Sequence, residues 1–170
     1  MPQNGAATVI VGVLPGQPDT VVIEAAVLAL KLGGELVCAT VDTGRHMVAE
    51  FADGSITASP FDPDNPDVSR ETFHPGLLAH LTRLFEGRGV HWSTRALAGD
   101  PARALGRLAD TLDAALIVIG TRESGWRGSL HEFFSGSVAA NLAHHQHRPV
   151  AIIPLSPVPF GNTLPWQTGP

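Results

Sequence analysis

Gly136 and Ser137 are the residues whose types and order most clearly suggest chemistry, because they follow a glycine-rich loop and precede a helix-like run. Free backbone N–H groups at a helix start and a serine hydroxyl can bind phosphate oxygens, and the helix dipole adds to the attraction. Glycine at position 136 allows close backbone approach or a positive φ. The pair predicts an anion site, and the alternative is that it only caps a helix.

Three histidines near the end of the same helix-like run, His144, His145 and His147, raise the possibility of a metal site. Helical spacing puts His144 and His147 roughly on one face, but no carboxylate or cysteine is adjacent to complete a ligand set. Histidines near a helix C-terminus also interact favourably with its dipole. We therefore interpret them as a solvated helix end and predict no metal site.

A group of serines around His131 raises the question of hydrolase chemistry. A serine hydrolase of the α/β type would place its nucleophile in a strand-Gly-x-Ser-x-Gly-helix turn, and this context is missing. We predict no catalytic residue and no enzymatic activity.

Short apolar runs alternate with helical patterns along the chain, and these elements must position the glycine-serine step. Apolar runs without polar alternation are typical of parallel strands that are covered on both faces. They lie at Thr8 to Leu14, Glu35 to Val41, Ala114 to Gly120 and Pro149 to Leu155, with a weaker fifth at His91 to Ala98. Helical patterns cover Val22 to Leu32, the leucines from Leu77 to Leu84, the run after Asp100-Pro101, and Val138 to His145.

This order of elements predicts a single α/β domain with a doubly wound, five-stranded parallel sheet over residues 1–155. Residues 43–74 fall outside the alternation and are rich in Pro, Asp and Ser, so we expect a long loop that serves as a lid, a binding loop or a mobile excursion. Residues 156–170 carry several prolines and are expected to form an extended tail.

Composition and the N-terminal sequence limit which binding partners and which cellular location we expect. The formal charge of -5 and the 44% hydrophobic content are those of an ordinary globular protein, which makes nucleic acid an unexpected partner. The N-terminal apolar stretch is too short for a signal peptide or a membrane span, so we expect a cytoplasmic protein. Cys38 lies in an apolar run and is interpreted as a core residue.

The run LIVIGTR…RGSLHEFFSGSVAANLAHHQHRPVAIIP resembles the C-terminal half of the universal stress protein family. That family has a strand, then G-x2-G-x9-G-[ST], then a helix and a final strand near a Pro-Val. The stretch GDPARALGRLAD and the order of elements also match, so the resemblance covers nearly all of residues 8–155. It implies the adenine nucleotide alpha hydrolase-like fold, with strand order 3-2-1-4-5.

The resemblance implies an ATP or AMP site, with Mg²⁺, in which the glycine loop and the serine step hold the phosphates and the backbone at Val41 meets the adenine. The implied nucleotide-binding residues are Val13, Leu14, Pro15, Val41, Gly120, Thr121, Arg122, Gly128, Gly136, Ser137 and Val138.

Two features depart from the family pattern. Leu14 stands where nucleotide-binding members usually present an aspartate near the adenine and ribose. Aligning Gly128 with the second glycine of the motif leaves extra residues within 123–126, so the phosphate loop is longer than the pattern.

The resemblance also implies a homodimer, which would pair through the exposed edge of the last strand. Three functions follow: a stress-response protein that binds ATP or AMP weakly, a dimeric scaffold or regulatory protein of the same fold without nucleotide, and a hydrolase or transferase of small phosphate esters. The last ranks lowest because no convergent acid, base or metal ligand set is visible.

Overall fold

The computed structural model describes residues 6–64, 67–121 and 136–155. Its elements in chain order are β1 (Thr8–Gly12), α1 (Thr20–Lys31), β2 (Glu35–Asp42), β3 (Arg45–Glu50), β4 (Ile56–Pro60), β5 (Ser69–Arg70), α2 (Pro75–Phe85), β6 (His91–Ala98), α3 (Pro101–Thr111), β7 (Leu116–Gly120), α4 (Gly136–His145) and β8 (Val150–Ile153).

The main sheet has five strands in the order β6-β2-β1-β7-β8, and every neighbouring pair is parallel. Counted along the sheet strands alone, this is the predicted order 3-2-1-4-5, which is confirmed. All five residues of β1 are buried, as expected for a central strand that is covered on both faces.

Helices cover both faces of the sheet, and each face has its own hydrophobic core. Val9, Val11 and Val13 of the β1 region pack with residues of α1 and α2 on one face. Ile10 and Leu14 belong to the second core, which contains residues of α3 and α4. Successive side chains of a strand point to opposite faces, so β1 contributes to both cores.

Two helices begin with the capping residues that the sequence presents. The Asp100 carboxylate accepts a hydrogen bond from the Arg103 N–H at 2.9 Å, and Pro101 follows it at the first helical position of α3. At α2 the cap is His74, whose Nδ1 accepts from the Leu77 N–H at 3.2 Å. Both helix starts are therefore fixed by a side chain.

Residues 43–74 differ from the expected long loop, because β3, β4 and β5 form a three-stranded antiparallel sheet there. Ile56 and Ala58 of β4 are buried in the core that contains α3 and α4, and Met47 packs against that core. These apolar contacts hold the segment to the domain. The Pro- and Asp-rich composition of the turns concealed them in the sequence.

Arg45 ties the three strands together. Its guanidinium donates hydrogen bonds to the Ala58 carbonyl at 2.7 Å and the Ser69 hydroxyl at 2.8 Å. Its Nε lies 2.6 Å from a carboxylate oxygen of Glu71, and both side chains are mostly buried. Burial raises the pKa of Glu71, while the Arg45 charge opposes that rise.

Cys38 is completely buried in β2, as the sequence predicts, and burial raises the pKa of its thiol to about 12. The predicted tail, residues 156–170, lies outside the described residues. Within the parts of the chain that the structure describes, no helix has the length and apolar character needed to cross a membrane.

Candidate functional site

The sheet reverses its winding direction between β1 and β7, which are neighbours at its centre. The chain passes from β1 through α1 to β2 on one side, and from β7 to α4 and β8 on the other. In open α/β sheets, ligands bind outside the carboxyl ends of the strands at such a point. We call the region between the loop after β1, the end of β2 and the start of α4 the crevice, and we expect a ligand to bind there.

Three of the predicted site residues, Leu14, Val41 and Val138, are buried in the same core cluster. They follow β1, end β2 and open α4, and their exposed fractions are 5%, 6% and 5%. These three predicted site residues are therefore apolar and packed in the core on the face that α3 and α4 cover.

The loop after β1 is held in place by backbone hydrogen bonds. The Val13 N–H donates to the Ala39 carbonyl at 2.9 Å, and the Leu14 N–H donates to the Gln17 side-chain oxygen at 3.0 Å. Pro15 follows them and is exposed. In this arrangement the Leu14 side chain is buried in the core, and Pro15 lies at the protein surface.

Gly120 ends β7, and a packing contact explains its identity. A Cβ at this position would lie 2.8 Å from a Val21 methyl group and 3.4 Å from the Leu155 side chain. Real Cβ atoms do not approach a neighbouring carbon as closely as the 2.8 Å to Val21, so glycine at 120 lets α1 pack against the strand end.

Thr121 joins the ends of β7 and β8. Its N–H donates to the Ile153 carbonyl at 2.8 Å, and its hydroxyl oxygen accepts from the Leu155 N–H at 2.8 Å. The hydroxyl hydrogen is still free to be donated, because a hydroxyl is both a donor and an acceptor.

The helix predicted after the glycine-serine step is present, and α4 begins at Gly136 with Ser137 as its second residue. Its first turn supplies the backbone N–H groups that an anion site requires. Arg122 and Gly128, which were predicted to approach the nucleotide, lie outside the described residues.

A cavity of about 380 Å³ opens beside the loop after β1, between the starts of α1 and α2. Val13, Leu14 and Pro15 line it, together with polar residues that the sequence analysis missed. Among these, His80 Nε2 and an Asp19 carboxylate oxygen lie 2.7 Å apart, and each side chain is about two-fifths exposed.

Asp19 and His80 were missed because they are far apart in sequence and carry no recognisable spacing. One local feature of the sequence points to this region. A polar residue before proline, as in His74-Pro75, marks the start of the helix that carries His80.

In the described ranges, no group of three His, Cys, Asp or Glu side chains is arranged to hold a metal ion. His144, His145 and His147 are exposed at and beyond the end of α4.

Comparison with solved structures supports the fold. A universal stress protein in complex with cAMP superposes with a TM-score of 0.56 at 22% identity, covering 90% of this chain and 100% of that chain. A universal stress protein from Archaeoglobus fulgidus superposes with a TM-score of 0.55 at 19% identity, covering 88% of this chain and 94% of that chain. The universal stress protein from the same organism in complex with dAMP superposes with a TM-score of 0.53 at 18% identity, covering 86% of this chain and 97% of that chain.

No curated protein matches this sequence significantly. The sequence model of the universal stress protein family does match, and it spans residues 6–154. That span includes every strand and helix of the described domain, from β1 to β8. The chain therefore belongs to the universal stress protein family.

Proposed function

We propose that this protein is a stress-response protein that binds an adenine nucleotide, ATP or AMP, without catalysing a demanding reaction. The observation that carries the proposal is the position of Leu14 after β1, Val41 near the end of β2 and Val138 in the first turn of α4, in one core at the carboxyl ends of the strands. Structures of the same fold that contain cAMP and dAMP support the choice of ligand class.

The described residues suit the two ends of a nucleotide. A flat base would lie at the ends of β1 and β2, against the backbone at Val41, and the N-terminus of α4 provides N–H groups and a favourable dipole for phosphate. In the described ranges, no three His, Cys, Asp or Glu side chains form a group that could hold a metal ion, and we expect Mg²⁺ to enter with ATP and to be held mainly by the phosphates.

Binding is expected to be weak and to discriminate little among purine nucleotides. Leu14 is apolar and cannot form a hydrogen bond to the ribose or the base with its side chain. A site that relies on apolar contact and backbone N–H groups has few means of distinguishing one purine from another.

The second candidate function is a dimeric scaffold or regulatory protein that binds no nucleotide. The degree of burial of Leu14 favours it, because a side chain that is only 5% exposed already fills space at the end of β1. A base would then have to displace well-packed apolar atoms, at a cost in free energy.

Isothermal titration with ATP and Mg²⁺ separates the two functions. If phosphate contacts the first turn of α4, Ser137→Ala removes one hydroxyl and weakens binding by about 1 kcal/mol. Gly136→Val weakens it far more, since the added side chain blocks close approach to the backbone.

Circular dichroism of each variant checks that the helix is retained. Tight, ATP-selective binding that Gly136→Val leaves unchanged would contradict the proposed site. An absence of binding by the wild-type protein would favour the scaffold.

A further inference from the structure

The cavity between the starts of α1 and α2, called here the α1–α2 cavity, shares Leu14 with the crevice but extends over the face of the sheet that α1 and α2 cover. Its floor is formed by Val22, Leu77 and Leu81, which belong to the core of α1 and α2 rather than to the core of Leu14, Val41 and Val138. Its volume of about 380 Å³ is within the range of small-molecule sites. The floor therefore suits the apolar body of a small molecule.

One wall of the α1–α2 cavity carries a hydrogen-bond donor. His74 Nδ1 accepts from the Leu77 N–H at 3.2 Å, and a ring nitrogen that accepts cannot carry a proton. The proton of the ring is then on Nε2, which can donate. His74 is exposed at the mouth of the cavity, so a ligand can reach it.

The Asp19 carboxylate, which lines the α1–α2 cavity, is paired with His80. Asp19 precedes α1 as its N-cap, but its side chain makes no hydrogen bond to the helix. One oxygen instead lies 2.7 Å from His80 Nε2. The negative charge is thereby directed at His80, and the first N–H groups of α1 have no side-chain cap.

We propose that the α1–α2 cavity is a second ligand site, which binds a small monocarboxylate with an apolar body. The N-termini of α1 and α2 both border the cavity, and their dipoles favour negative charge. His74 Nε2 adds a donor, Asp19 is engaged by His80, and the valine and leucine side chains receive the apolar body. The proposal does not depend on nucleotide binding in the crevice.

Three probes of the same shape test the charge preference in the full chain: 4-phenylbutyrate, 4-phenylbutanol and 4-phenylbutylamine. In ¹H–¹⁵N NMR titrations, 4-phenylbutyrate is expected to shift amide signals of residues 13–22 and 74–81, and to bind at least about tenfold more tightly than the amine. Tighter binding of the amine, shifts confined to other residues, or no shift at millimolar 4-phenylbutyrate would overturn the proposal.

A matched pair of variants tests His74 without removing the helix cap. Asparagine and aspartate both cap helices well, but asparagine keeps an N–H donor while aspartate adds a negative charge. His74→Asn is expected to retain 4-phenylbutyrate binding within about threefold, and His74→Asp to weaken it at least about tenfold.

Gly136→Val, which alters the crevice, is expected to leave 4-phenylbutyrate binding unchanged. Equal affinities for the two His74 variants would contradict the donor role, and a loss of binding in Gly136→Val would show that the ligand occupies the nucleotide crevice. The wild-type comparison of the three probes tests the charge preference even if one variant folds poorly.

Discussion

Leu14 places a buried apolar side chain at the end of β1. Its backbone N–H donates to the Gln17 side-chain oxygen, and its side chain belongs to the same core as Val41 and Val138, on the face of α3 and α4. A base at this point would meet hydrocarbon, whereas the family pattern places an aspartate there. We therefore expect this residue to affect both the affinity and the selectivity for a nucleotide.

Leu14→Asp is expected to tighten ATP binding by roughly fivefold, since the carboxylate can accept a hydrogen bond from the ribose or the base at about 1 kcal/mol. The same change should lower the thermal midpoint of the free protein, because a carboxylate replaces a buried leucine. Calorimetric titration and thermal unfolding measure the two effects.

Leu14→Ala is the control for that prediction, because it opens the same space without an acceptor. Equal ATP affinity for the alanine and aspartate variants would contradict the expected hydrogen bond.

At the residue scale, the position of a residue relative to a strand or helix could be predicted from the sequence, but its contacts with other elements could not. The places of Leu14, Val41 and Val138 at the ends of predicted strands and the start of a predicted helix could be predicted from the sequence, whereas their role at a nucleotide site was implied by the family resemblance. The packing of Gly120 against Val21 could not, because nothing local shows which helix crosses a strand end. The pairing of Asp19 with His80 joins residues of two separate helices and depends entirely on how they pack.

At the scale of elements, the three-stranded sheet of β3, β4 and β5 depends on Arg45. Its guanidinium reaches Ala58 and Ser69, and its Nε is paired with Glu71, so a single side chain bridges all three strands. Breaking a mostly buried ion pair by removing one partner is strongly destabilising, because the remaining charge is left without compensation.

Arg45→Met is expected to make residues 45–70 the first site of limited proteolysis, while the wild-type segment resists cleavage. Mass spectrometry of the fragments locates the cuts. Arg103→Met, which removes an exposed arginine from α3, should retain the wild-type pattern. Rapid cleavage of the wild-type segment would show that the three strands open readily and that the original expectation of a mobile loop is correct.

Strands that are buried on both faces could be recognised in the sequence, whereas a strand that is only partly buried was harder to recognise. The strands β1, β2 and β7 are continuous apolar runs because both of their faces are covered. The strand β4 reads Ile-Thr-Ala-Ser-Pro and turns only part of its surface to the core, so its sequence resembles that of a polar turn.

At the scale of the whole molecule, β8 is an edge strand of the main sheet, and Ile152 on it is 50% exposed. An edge strand presents unpaired backbone groups and is normally covered or protected. We infer that two copies of the chain pair along β8.

Ile152→Lys is expected to give a monomer in sedimentation velocity, because the lysine places a charge in the interface. Val48→Lys is the control, since Val48 on β3 is also 50% exposed but lies on the other sheet. A dimer that survives Ile152→Lys would show that association uses another surface.

The architecture of the main sheet was predictable because the alternation of strands and helices and the hand of the crossovers restrict the possible topologies. The location of cavities was not predictable, since a cavity is the space left between elements that approach from different parts of the chain. The α1–α2 cavity, for example, depends on the packing of the start of α2 against the loop after β1.

We claim that an adenine nucleotide binds at the carboxyl ends of the strands, on the face of α3 and α4. A ¹H–¹⁵N NMR titration of the wild-type protein with ATP and Mg²⁺ tests it most directly. We predict saturable shifts for the amides of Leu14, Val41 and Val138, with the residues of α2 unaffected. Shifts confined to residues 74–81, or no shift at millimolar ATP, would contradict the claim.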